Sequence, residues 1–89
     1  MIKKVLDKNA VLNVTIRSKE KLLYSGVAKT LSSENEKGPF DILSGHANFI
    51  SLIFSYVIID RGLETEHSFD LEKGVLYVLS DRIEVYVGI

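Results

Sequence analysis

The chain has no cysteine, no tryptophan, one proline and six glycines in 89 residues. Without cysteine there is no disulfide, thiolate metal site or thiol nucleophile, and nothing points to an oxidising compartment. An excess of one charge is also lacking, since 11 basic and 12 acidic side chains are interspersed and leave a net charge of −1. A balanced surface of this kind has no electrostatic footprint for nucleic acid or for an anionic membrane. Long apolar runs are missing too. The most apolar segment, Phe49–Ile59, has 11 residues, against the roughly 20 of a spanning helix, so direct membrane insertion is not expected. The start, Met1 to Leu12, is basic but carries neither the apolar stretch nor the cleavage site of a secretory leader.

Catalytic signatures are absent as well. There is no nucleophile elbow, Walker A loop or dinucleotide fingerprint, so no cofactor and no small-molecule substrate are expected. The two histidines, His46 and His67, stand 21 residues apart, whereas a zinc site needs three or four converging ligands, and no metal is expected. Glu34, Glu36 and Asp41 could be imagined as an acid/base pair, but nothing apolar encloses them to separate their pKa values, and they read as part of a solvated loop. The chain is expected to have no catalytic residues and not to be an enzyme.

What is present is a single core's worth of apolar side chains, 46% of the residues, arranged with a period of two over one domain, residues 1–89. Leu12, Val14 and Ile16 alternate with Asn13, Thr15 and Arg17, as on a half-buried strand. Lys19–Lys21 is a turn, and Leu22–Leu31 a second strand interrupted at Gly26. Ser32–Gly38 is polar and reads as a loop that ends at Pro39. Phe40–Leu43, Phe49–Phe54 and Tyr56–Ile59 follow as strands, with Ser55 as the weak link. Asp60-Arg61-Gly62 is a turn, Glu64–Leu71 a polar strand, and Glu72-Lys73-Gly74 a further turn. Val75–Leu79 and Ile83–Val87 close the pattern, joined through Ser80-Asp81-Arg82. Turn signals about every 8–12 residues, with no sustained helical period, predict an all-β sandwich or barrel.

One segment, Gly38 to Leu52 (GPFDILSGHANFISL), is more distinctive. It resembles the signature of ATP synthase epsilon subunits, approximately Gly-Glu-x-Gly-Ile/Val-Leu-Pro-Gly-His-Ala-Pro-Leu-Leu-Thr-x-Leu. Gly38, Ile42, Leu43, Gly45, His46, Ala47, Ser51 and Leu52 fall into register with it. Leu12–Ile16 with Leu23-Tyr24-Ser25-Gly26 resembles the opening of that family, and Gly74–Val78 with Ile83–Val87 resembles its closing strands. The departures are Pro39 for an acidic residue, Asp41 for a glycine, Ser44 and Asn48 for prolines, and Ser55-Tyr56 for a Pro-Gly turn.

The resemblance implies a flattened antiparallel β-sandwich of about ten short strands. It also implies a non-catalytic central-stalk subunit of an F-type ATP synthase that binds the gamma subunit and the membrane rotor ring and so helps couple proton flow to ATP synthesis. Such a subunit is peripheral at the cytoplasmic face of the inner (plasma) membrane. Ser18, His46 and Ser51 would face gamma. Gly38, Pro39, Phe40 and Asp41 would lie toward the ring, with Glu36 or Asp41 in place of the family's acidic loop residue. The C-terminal helical hairpin of the family is not expected in this chain. Each of these residues also has a plainer use: Gly38 and Gly45 as turn formers, His46 bonded within its own turn, Phe40 in the core. Two other functions fit strands and turns alone. One is an unrelated β-sandwich interaction module. The other is a cupin-like or lipocalin-like ligand carrier, for which a lined pocket is lacking in the sequence.

Overall fold

The computed structural model describes residues 10–88, so the segment read above for a leader lies outside the described residues as far as Asn9. Seven strands are present: β1 Leu12–Arg17, β2 Leu22–Ala28, β3 Thr30–Asn35, β4 Gly38–Leu43, β5 Phe49–Ile59, β6 His67–Leu79 and β7 Arg82–Val87. They form one continuous sheet in the order β2-β1-β7-β6-β5-β3-β4. All neighbours are antiparallel except β1 and β7, whose parallel register (Val14 opposite Ile83, Ile16 opposite Val85) sets the last described strand beside the first.

A flat seven-stranded sheet would leave its apolar face in water, and two long strands let this one fold over. The β5–β6 ladder slips between Phe54 and Ser55, where Phe54 faces Lys73 and Ser55 faces Leu71, leaving Glu72 as the extra residue. Ser55 has φ of 76°. A bulge adds local bend and twist, and beyond it both strands continue in a second layer. Layer A contains β2, β1, β7, the second part of β6 and the first part of β5. Layer B contains the first part of β6, the second part of β5, and β3 and β4. Aromatic contacts close the fold: Tyr24 of β2 lies 5.4 Å from His67 and 5.8 Å from Phe69 of β6, although β1 and β7 separate those strands in the sheet. On the other side Phe40 of β4 meets Phe49 of β5 edge-on at 6.0 Å.

The alternating residues point where their period requires. Leu12, Val14 and Ile16 of β1, Leu76 and Val78 of β6, and Ile83 and Val85 of β7 are all buried against Leu31, Ile42, Ile53, Val57 and Ile59. The all-β class is as expected, with seven strands among the described residues where about ten were expected, and the differences have physical causes. Ser32–Gly38 is largely strand, because Ser32 and Ser33 are buried with their hydroxyls satisfied across the sheet, on Asp41 Oδ1 and on the Tyr56 carbonyl, both at 2.6 Å. Glu72-Lys73-Gly74 is a bulge inside β6 and not a turn. The strand expected from Glu64 starts at His67, after a turn in which the Glu66 amide donates to the Leu63 carbonyl. Asp41, where the family has glycine, is not among the described non-glycine residues with positive φ, which are Ser55, Asp60 and Ser80.

Candidate docking surface

The two outer faces of the sandwich differ in chemistry. On layer A the outward positions of β5 are Ile50 and Leu52, 64% and 51% exposed. Their register partners carry the apolar character across the layer: Ile50 lies opposite Tyr77 and Tyr77 opposite Glu84, while Leu52 lies opposite Val75 and Val75 opposite Tyr86. Tyr77 and Tyr86 meet edge-on at 5.7 Å. Val75, Tyr77, Glu84 and Tyr86 line a shallow depression of about 410 Å³. Its one carboxylate is engaged, since Glu84 accepts the Tyr86 hydroxyl at 2.9 Å and has the Arg82 Nε at 3.6 Å. That hydrogen bond, with burial and the charge of Glu84, raises the Tyr86 pKa above the ordinary phenol value. Single exposed apolar residues are normal, but a contiguous set of this kind marks an interaction surface.

Layer B is more mixed. Its outward positions include Glu34, Asp41 and Asp70, with Tyr56 under the Arg61 guanidinium at 5.6 Å. Ser55 donates to Glu34 at 2.8 Å and Ser32 to Asp41 at 2.6 Å, so these carboxylates are tied to their own sheet. Its exposed apolar side chains include Leu43, 56% exposed, and Pro39, which stand beside these charged groups on β4.

The residues named from sequence fall at several places. Ser18 shapes the β1–β2 turn, its hydroxyl accepting from the Glu20 and Lys21 amides at 3.3 Å each. His46 is exposed in the connection between β4 and β5; its amide donates to Leu43, its Nδ1 lies 2.8 Å from the Ala47 carbonyl, and its ring leans on Phe49 at 5.1 Å. Ser51 is half-buried on β5 and accepts from Asn35 at 3.1 Å. Through the register, Ser18 lies beyond the Leu52 end of layer A and His46 beyond the Phe49 end. The structure therefore does not gather the three into one cluster, and a partner touching all of them would extend ~20 Å along the strands. Gly38, Pro39, Phe40 and Asp41 are consecutive on β4 and do not form a loop; the β3–β4 hairpin turns at Glu36-Lys37. Gly38 has φ of 118°, Pro39 and Asp41 are exposed, and Phe40 turns inward against the core.

Two residues to which sequence reading gave no role there hold the His46 turn. Asp81 Oδ1 accepts from the Ser44 hydroxyl at 3.2 Å and the Gly45 amide at 3.1 Å, and Asn48 Oδ1 accepts from the Ser80 amide at 2.6 Å. Both turns were legible separately, but nothing local shows that they dock on each other. Among the described residues no His, Cys, Asp or Glu group could hold a metal, and no helix is long and apolar enough to cross a membrane.

As a class the fold is a small β-sandwich, and the layer A face carries a contiguous apolar band of the kind that proteins use as interaction surfaces. Residues 11–88 match the family model described as ATP synthase, Delta/Epsilon chain, beta-sandwich domain, and the chain belongs to that family. The solved structures add likeness of fold. One chain of the Euglena gracilis mitochondrial ATP synthase OSCP/F1/c-ring assembly, in rotational state 1, superposes with a TM-score of 0.78 at 11% identity, covering 88% of this chain. A chain of the Tetrahymena thermophila mitochondrial ATP synthase central stalk and c-ring gives 0.71 at 13% identity and 85% coverage. This chain spans 51% and 62% of the length of those two. No curated protein matches it by sequence.

Proposed function

We propose that this chain is the β-sandwich portion of a non-catalytic central-stalk subunit of an F-type ATP synthase. It would bind the gamma subunit through the outer face of layer A, reach the rotor ring through the β3–β4 hairpin, and turn with the stalk as protons drive ATP synthesis. The observation that carries this reading is the apolar band of Ile50, Leu52, Val75, Tyr77 and Tyr86 on one face of a domain of this family. Tyrosines within an apolar patch supply large, rigid contact area and are frequent interface hot spots. The hairpin tip, Glu36-Lys37, offers the exposed charged pair for the polar loops of a ring, with Gly38, Pro39 and Asp41 behind it. The chain would be a peripheral part of that complex, at the cytoplasmic face of the inner (plasma) membrane. Membership of the family displaces the unrelated-module reading.

The test is a calorimetric titration with the gamma subunit from the same organism at physiological salt. A saturable 1:1 complex is expected. Val75→Lys, at the centre of the band, should weaken it by ~10–100-fold while the circular dichroism spectrum and unfolding midpoint stay close to those of the parent, because the side chain points outward. Unchanged affinity in this variant would remove the layer A face from the interface. His46→Ala separates the two uses of that residue. Weaker binding by a folded protein is the result expected for a gamma contact, whereas lost stability with unchanged binding per folded molecule would leave His46 a turn former only.

A further inference from the structure

The first part of β5 has an open edge. β6 pairs with β5 along its whole length, but β3 pairs with it only at Phe54, Ile58 and Ile59. Beyond Glu34 opposite Phe54, β3 continues to Asn35 paired with β4 alone, so the two strands diverge. Among the described residues no strand pairs with Phe49–Ile53 on the side away from β6. In the wedge between the diverging strands lies a groove of about 400 Å³, bounded by Asn35, Glu36 and Lys37 on one side and by Phe49–Leu52 and Phe54 of β5 on the other. What links the two sides there is a side-chain bond, Asn35 Nδ2 to Ser51 Oγ at 3.1 Å, with no ladder between them.

An unpaired edge presents a row of backbone donors and acceptors, and proteins ordinarily blunt such edges with charge, proline or a bulge. The other edges here are blunted. β4 carries Pro39 and Asp41, the first part of β6 carries Asp70 and ends at the bulge, and β2 contains Gly26 and pairs with β1 through a register slip at Ile16/Arg17. Phe49-Ile50-Ser51-Leu52-Ile53 contains no charge, proline or glycine, and its ladder to β6 is regular. Its outward side chains, Ile50 and Leu52, are the most exposed part of the apolar band, so a chain lying on that band runs directly onto this edge.

From these observations we infer that the partner covering the layer A face also contributes an extended strand, which pairs with β5 at Phe49–Ile53 and extends layer A across the interface. This rests on the docking reading above. Five residues span about 17 Å, enough for a short ladder. Main-chain bonds supply the affinity in such strand addition, and alternate side chains supply the specificity. The incoming strand carries apolar residues at the positions continuing Ile50 and Leu52, and small or polar ones beside Ser51.

Residue-resolved amide hydrogen exchange on the free chain and on its saturated complex with the gamma subunit is the test. Within Phe49–Ile53, the alternate amides that point away from β6 should exchange at least ~10-fold more slowly in the complex. Amides of β2, at the opposite edge of the layer, should be unchanged and serve as the internal control. Unaltered exchange at Phe49–Ile53 in a complex that calorimetry shows to be saturated overturns the strand addition and leaves the docking reading standing. Absence of any complex overturns both.

Discussion

Replacing Asp60 by alanine should destabilise the domain by on the order of 3 kcal/mol, the loss associated with removing a charged acceptor from several part-buried donors. Asp60 is only 5% exposed. Its Oδ1 accepts from the Lys29 amide at 2.6 Å and the Thr30 amide at 3.2 Å, its Oδ2 accepts the Thr65 hydroxyl at 2.6 Å, and its own amide donates to the Thr30 carbonyl at 3.0 Å. One side chain thus joins the β2–β3 corner to the connection between β5 and β6. Alanine would leave the two amides without an acceptor and would hold a Cβ-bearing residue at φ of 53°, a region that Asp and Asn tolerate better than most residues. Asp60→Asn keeps an acceptor oxygen and that tolerance, and should lose clearly less. Thermal unfolding checks the order: Asp60→Ala is expected more than about 10 °C below the parent, with Asp60→Asn between them. Equal midpoints for the parent and the alanine variant would show that the corner does not depend on this carboxylate.

The same site gives stability an acidic limit. Burial pushes the Asp60 pKa up, but the Thr65 hydroxyl, the Lys29 and Thr30 amides and the Lys29 charge outweigh it and hold the carboxyl below its ordinary value. A group whose pKa is lower folded than unfolded binds protons more readily in the unfolded chain. Its contribution is therefore complete above the unfolded pKa, about 3.9, and is lost as pH falls through that value and then through the folded one. The gap in stability between the parent and Asp60→Asn should accordingly narrow below about pH 4.

Asp60 also shows how far sequence carries. Asp60-Arg61-Gly62 was legible as a turn from its residue types, but the donors at Lys29 and Thr30 lie 31 and 30 residues away, and no local pattern announces them. Alternation found β1 and β7 because each has one wet and one dry face. It missed β3, where Ser32 and Ser33 are buried polar residues satisfied by Asp41 and by the Tyr56 backbone; polarity alone reads as loop. The apolar outer face was not read from the sequence, although its material was there. FISLIF and VLYVL are apolar at both alternating positions, which in a sheet means cover on both faces. Only the register shows that the outward halves of the two runs, with Tyr86, meet as one surface. The Gly-His-Ala turn carried the family resemblance, yet its support comes from Asp81 on the far hairpin.

Gly74→Ala should destabilise the domain by ~2–3 kcal/mol, more than most single-methyl additions, because what stands in the way is backbone. Gly74 is buried on β6, with Ile53 of β5 on one side and Val87 of β7 on the other. A Cβ built there would lie 2.8 Å from the Tyr86 carbonyl oxygen, with Ile53 Cγ1 at 3.5 Å and Leu71 Cδ1 at 3.6 Å. The Ile53 and Leu71 carbons are at ordinary contact distance, whereas the carbonyl can retreat only if β7 shifts. That shift would move Tyr86, which belongs to the apolar face, so this substitution should act on both stability and docking. Gly26→Ala is the matched control, because its nearest neighbour is the Tyr24 hydroxyl at 3.1 Å, at the far end of a side chain that can swing aside. Denaturant unfolding should place Gly26→Ala near the parent and Gly74→Ala well below it, and the folded fraction of the latter should bind gamma more weakly. If Gly74→Ala unfolds with the parent, β7 has room to move, and the close approach of the two strands is not what requires glycine in β6.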